Sequence, residues 1–175
     1  MKYLTLTAIL ATMAPSVGLA QDHRFTLSDG YSYQQFDQFN AHALSGRISY
    51  DFSEFLSVEA NVLTGLSGSS AISCPTGTDC SIVDPRARFR HGYGVSVAGN
   101  LPITDRFGLF ARAGYAAANF KVSVGPSGDD SGLTYGVGAN YFFNEEHGVR
   151  FEYNRAEMDN LGEGASWGIS YVRRF

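Results

Sequence analysis

The sequence predicts an all-β fold, an eight-stranded antiparallel up-and-down transmembrane β-barrel, on three observations. Apolar and polar residues alternate with period two in stretches of roughly ten residues. Turn-forming residues divide those stretches into alternately short and longer connections. Aromatics reach 14% and glycines number 20 in 175 residues, whereas charged residues are only 17%, a composition that disfavours helix and favours strand. The length allows one domain.

The first twenty residues stand apart from this pattern. Lys2 is followed by a short apolar core from Tyr3 to Ala14, broken by Pro15-Ser16. Gly18-Leu19-Ala20 then supplies the small residues a signal peptidase reads. Residues 1–20 are expected to be a cleaved signal peptide and 21–175 the barrel domain. The apolar core is too short for a transmembrane helix, and beyond it no apolar run approaches about 18 residues. Cleavage removes Lys2 and no acid, leaving 12 basic and 17 acidic residues, 12 − 17 = −5. A mildly acidic chain is a poor partner for nucleic acid.

After Ala20 the alternation is clearest in Leu133-Thr-Tyr135-Gly-Val137-Gly-Ala139-Asn-Tyr141-Phe-Phe143. The same reading elsewhere predicts strands over 24–36, 41–52, 55–66, 88–101, 106–122, 132–143, 149–158 and 165–175. Connections near 53–54, 102–105 and 144–148 are short. Those near 37–40, 67–87, 123–131 and 159–164 are mostly longer and rich in Gly, Ser, Asp and Asn. Short turns at one end and longer loops at the other is the layout of an outer-membrane barrel, and an even strand count leaves both chain ends on the periplasmic side.

The apolar parity carries aromatics toward strand ends: Phe25, Tyr50, Phe52, Tyr141, Phe143, Phe151, Trp167, Tyr171 and Phe175. That is the placement of interfacial girdles, so this parity is expected to face lipid. The other parity holds small, polar and isolated charged residues, which fit a narrow eight-strand interior. Two charges fall on the outward parity. Arg173 is near enough to the periplasmic edge to snorkel. Asp29 is not, so either a bulge shifts the register near Asp29-Gly30 or the residue faces a protein partner.

Gly46-Arg-Ile-Ser-Tyr-Asp-Phe52, Leu56-Ser-Val-Glu59, Phe110-Ala-Arg-Ala-Gly-Tyr115, Val149-Arg-Phe-Glu-Tyr153 and the final Tyr171-Val-Arg-Arg-Phe175 carry a resemblance. In order and spacing the chain resembles the opacity-protein and OmpA-type (OmpX/Ail-like) eight-stranded outer-membrane β-barrel family. The resemblance implies residence in the bacterial outer membrane. It also implies that Tyr171 and Phe175 form the signal read by the barrel-insertion machinery. Lumenal ion pairs at matching positions are implied too.

The inward parity supplies the residues for such pairs: Arg47, Glu59, Arg112, Arg150 and Glu152, with Asp51 near the periplasmic rim. Ionisable groups within a membrane span are costly unless paired or hydrated, so these are expected to meet in the lumen. Arg112 and Glu152 are the expected pair, with Glu59 able to compete for the arginine. Two readings follow, a structural plug or a gate that opens a narrow water path by partner exchange.

At the outer end of the fourth strand, Arg86, Arg88 and Arg90 are candidates to contact lipopolysaccharide, because a guanidinium grips phosphate in a forked geometry. A host polyanion is the other candidate ligand. Cys74 and Cys80 bracket a turn-rich segment, and in an exported chain they are expected to form a disulfide. Loop acids at Asp129-Asp130, Glu157, Asp159 and Glu163 lack calcium-ligand spacing and read as solvated loop charge. His42 and His91 are not set with a serine, no nucleophile–base–orienter set emerges, and neither a metal nor a cofactor is expected.

The expected function is that of an integral outer-membrane surface protein without catalysis. It would act through extracellular loops, in adhesion or surface interaction, or by stabilising the outer membrane. The alternative is a narrow porin-like channel gated by the lumenal ion pairs. Expected partners are outer-membrane lipid and lipopolysaccharide, the barrel-insertion machinery, and a host or surface ligand.

Overall fold

In the computed structural model the described residues are 24–36, 40–66, 70–71, 86–122, 128–159 and 162–175. Eight long strands run β1 Phe25–Phe36, β2 Asn40–Ser53, β3 Leu56–Gly65, β4 Arg86–Pro102, β5 Phe107–Val122, β6 Gly128–Phe142, β7 His147–Met158 and β8 Gly162–Arg174. Each pairs antiparallel with its chain neighbour, and β1 with β8 closes the ring. A two-residue strand, Ser70–Ala71, extends the ladder on Arg86 and Ala87. One row of paired residues leaves β2 at His42 and passes through Tyr33, Trp167, Tyr153, Val137, Ala111, Gly99 and Leu56. It returns to β2 at Ser53, so the strands are strongly tilted, as closure of a narrow barrel requires.

The periplasmic turns are set by local polar side chains. Thr104 Oγ1 accepts the backbone N–H groups of Arg106 and Phe107 at 3.3 and 3.0 Å. Asn144 Oδ1 accepts those of Glu146 and His147 at 3.1 and 2.7 Å. Both are the side-chain-closed turns these residue types form. At the other end, β7 and β8 are joined through Gly162 at φ 75°, a left-handed conformation that favours glycine.

The strands reach further outward than alternation alone indicated. β6 starts at Gly128 and β8 at Gly162, so Asp129, Asp130 and Glu163 are strand residues rather than loop charge. Their side chains are engaged: Asn119 donates to Asp129 at 2.5 Å, and Arg155 lies 3.6 Å from Glu163. Cross-strand partners, which are far apart in the sequence, extend the ladder past the point where the apolar signal stops.

The faces are inverted relative to a water-soluble barrel. Outward Val62, Leu133 and Tyr93 are about 60% exposed, whereas inward Ser28, Ser49, Ser57 and Glu59 are 3% exposed or less. Both registers of β1 run unshifted through Asp29, which is opposite Gly46 on one side and Tyr171 on the other. The bulge alternative for Asp29 is therefore overturned; the residue is exposed on the outer face.

Candidate functional site

The interior is filled in layers. Nearest the extracellular end, Phe89 and Phe120 pack with Ala41, Ala43 and Ala118, and Phe36 closes on them edge-to-face, its ring 5.7 Å from that of Phe120. A β-bulge builds this layer. Between Phe89 and His91 the β4–β5 register shifts, so Arg90 and His91 are both exposed while Phe89 turns inward.

Below lies the charged layer. Arg47 comes from β2, Glu59 from β3, Arg112 from β5, and Arg150 and Glu152 from β7. Arg47 donates both terminal nitrogens to Glu152, at 2.6 and 3.1 Å, the forked geometry of a strong pair. Arg112 donates Nη1 to Glu59 at 3.1 Å and lies 3.0 Å from Glu152 through Nη2. Arg150 donates Nη1 to Glu59 at 2.9 Å. Thus the five groups form one cluster in which Arg112 reaches both carboxylates. Three arginines face two glutamates, and Arg47 Nε is buried without a hydrogen bond, 3.6 Å from Glu59.

Neutral groups complete the layer, and alternation did not single them out. Asn154 accepts from Arg112 Nε at 3.0 Å, and Asn140 from Arg150 Nε at 2.8 Å. Ser49 and Ser96 each donate to Glu59 at 3.4 Å. The Phe110 ring carries the Arg150 guanidinium 4.5 Å from its centroid. The visible signal was only their inward parity. Two glycines make the room: a Cβ at Gly168 would meet Glu152 Cγ at 2.9 Å, and one at Gly138 would strike the Phe110 ring and the Phe151 carbonyl.

The remaining sequence-marked residues are placed as follows. Arg86 is opposite Ala71, Arg88 is opposite Lys121, and Arg90 is the bulged, exposed residue. Tyr171 is exposed on the outer face and hydrogen-bonded to His147. Phe175 donates its backbone N–H to the Phe25 carbonyl at 2.8 Å, tying the chain end to β1. His42 is likewise on the outer face, hydrogen-bonded to Tyr31. The signal peptide, residues 1–20, and the Cys74–Cys80 pair lie outside the described residues.

An apolar exterior around a charged, filled interior defines a transmembrane β-barrel. Residues 4–175 match the outer membrane protein beta-barrel domain, and the chain belongs to that family. It is a protein of the bacterial outer membrane. Among solved structures it is similar to Ail, the attachment invasion locus protein of Yersinia pestis, in complex with the heparin analogue sucrose octasulfate. That match has 19% identity over 86% of this chain and 97% of that one, with a TM-score of 0.59. OprG from Pseudomonas aeruginosa matches at 11% identity, 86% and 95% coverage, and a TM-score of 0.65. The N-terminal barrel domain of Pseudomonas aeruginosa OprF matches at 12%, 89% and 100% coverage, and 0.63. At these identities the likeness is one of fold. No curated relative matches in sequence.

Proposed function

We propose that the protein is a non-catalytic, non-conducting outer-membrane barrel that acts at the cell surface through its extracellular end, as an adhesive or interaction surface, and thereby also stabilises the membrane around it. The observation that carries the reading is the double closure of the lumen. The charged cluster fills the middle, and Phe36, Phe89 and Phe120 cover it on the outer side. A barrel filled in this way is a rigid support rather than a conduit. Surface partners of anionic chemistry are favoured by Arg86, Arg88 and Arg90 at the outer end of β4, with Lys121 opposite Arg88. These residues match the phosphates of lipopolysaccharide or a sulfated host polymer; Ail, of the same fold, was solved with a sulfated heparin analogue. Single-channel recording in planar bilayers tests the closure: a flat current is expected, and stepwise conductance would overturn it.

The alternative, a narrow channel gated by partner exchange, is favoured by one observation. Arg112 already contacts both Glu59 and Glu152, so it can favour either without crossing a gap.

A further inference from the structure

Two cross-strand pairs at the extracellular end set like charges opposite one another. On β7–β8 Glu157 faces Glu163, and on β4–β5 Arg88 faces Lys121. Directly opposed like charges destabilise a ladder, so each pair gains from a partner of the other sign. Arg90, exposed by its bulge, adds to the basic flank, and exposed Asp159 adds to the acidic one. Arg155 offsets part of the acidic flank, 3.6 Å from Glu163, and Tyr135 donates to Glu157 at 3.3 Å. That flank still holds three carboxylates to one arginine. Asp129, on β6 between the flanks, accepts from Asn119.

The closed ring puts the two flanks on opposite sides and at one height. β4 and β8 are separated by three strands whichever way the ring is followed. A row of paired residues descends eleven residues in a full turn, from His42 to Ser53 on β2, and so about five in half a turn. The row through Glu163, Glu157, Leu133, Tyr115 and Val95 makes that half turn. Arg90 is five residues outward of Val95 on β4, and so at the height of Glu163.

Shape follows the same division. On the membrane side of the acidic flank the outer face is grooved, with Tyr33, Tyr153, Trp167 and Ile169 at the upper end of a groove of about 890 Å³. On the membrane side of the basic flank it is ridged. Tyr93 and Val95 of β4 are 62% and 61% exposed, the highest values among the large apolar side chains of the described residues. In lipid an apolar fit alone gives little association, because acyl chains cover either surface as well. The charges above it select the partner. We infer that copies of this chain dock side by side in the plane of the outer membrane, the β4 ridge and basic flank of one against the groove and acidic flank of the next. Barrels of one kind share one orientation in the membrane, so flanks at one height meet without tilting. An interface between opposite sides of a ring is heterologous and does not close on two copies, so it builds open rows. Arg88 and Arg90 also belong to the anion-binding surface proposed above. The acidic flank has no part in that surface, so the two roles are separable.

Energy transfer between donor- and acceptor-labelled barrels tests the inference, with the dyes on the N-terminus and the refolded protein in phosphatidylcholine vesicles free of lipopolysaccharide. Mobility on an unheated gel confirms that each variant is folded. Transfer at least about twice that of random proximity is expected, falling by about half or more in about 1 M salt, where screening shortens to about 3 Å. Glu157→Lys with Glu163→Lys makes both flanks basic; Arg88→Glu, Arg90→Glu and Lys121→Glu together make both acidic. Each variant alone is expected to fall to the random level. Donors on one variant and acceptors on the other are expected to regain transfer when mixed. Random-level transfer in the native barrel overturns the inference, as does native-level transfer in either variant alone or a mixture that stays at the random level. Carbodiimide, which joins an amine to a carboxylate, reads the row, because Lys121 is the only lysine in residues 21–175. A ladder of linked species beyond the dimer is expected, and a stop at the dimer overturns the open row.

Discussion

Arg47 grips Glu152 with both terminal nitrogens, at 2.6 and 3.1 Å, from strands separated by two others around the ring. The pair spans the lumen and has no solvent to fall back on, since Arg47 is 8% and Glu152 8% exposed. Truncating Glu152 leaves three buried arginines to one carboxylate, whereas Arg47→Ala leaves Glu152 its contact with Arg112. Glu152→Ala is therefore expected to cost about 3–5 kcal/mol, and the volume-matched pair Arg47→Met with Glu152→Leu much less. Urea unfolding in lipid vesicles measures both, and equal losses would show that packing, not charge, dominates.

Because the lumen is closed twice, one opening is not expected to suffice. Arg112→Ala alone is expected to remain silent in planar bilayers, since Phe36, Phe89 and Phe120 still cover the outer side. Adding Phe89→Ala and Phe120→Ala is expected to give small conductance steps. Steps from Arg112→Ala alone would favour the gated-channel alternative.

Gly138 faces the Phe110 ring that supports Arg150 and Arg112. A side chain there meets both that ring and the Phe151 carbonyl, and backbone cannot yield as a flexible tip can. Gly138→Val is expected to destabilise the barrel by about 1–3 kcal/mol or more. The readout is the fraction of protein in the fast-migrating folded form on an unheated gel.

The register leaves Asp29 on the lipid-facing surface, and the hydroxyls that flank it are used elsewhere, Tyr171 by His147 and Tyr31 by His42. Asp29→Leu is expected to raise stability in vesicles by about 1–2 kcal/mol. A loss instead would identify this face as covered by protein.

Neutralising Arg86, Arg88 and Arg90 together is expected to lower the salt concentration at which the refolded barrel leaves a heparin column, with no change in unfolding midpoint. Arg90 alone accounts for part of the effect, since the bulge holds it exposed. An unchanged elution point would remove this strip from the anion-binding surface.

Much of the architecture was legible because period-two alternation is local. Each strand of this chain announces itself within its own ten or so residues, and chain neighbours pair with one another. The five inward charges were legible for the same reason. The Phe89 layer was not, because a bulge reverses parity within β4 and leaves no mark that alternation can read. Arg174 was passed over beside its outward neighbour Arg173, and only the closed ring places it in the wall of the periplasmic mouth, over the Phe142 ring.

By itself, then, the order of residues determined, away from the β4 bulge, which side chains face lipid and which face the lumen, since a regular pleated strand alternates its faces. Only the closed barrel decided which arginine meets which glutamate. Arg47 and Glu152 are 105 residues apart, and what brings them to one height is the stagger of paired strands accumulated around the ring. That stagger is set by many backbone ladders acting together, and no single segment of the chain contains it.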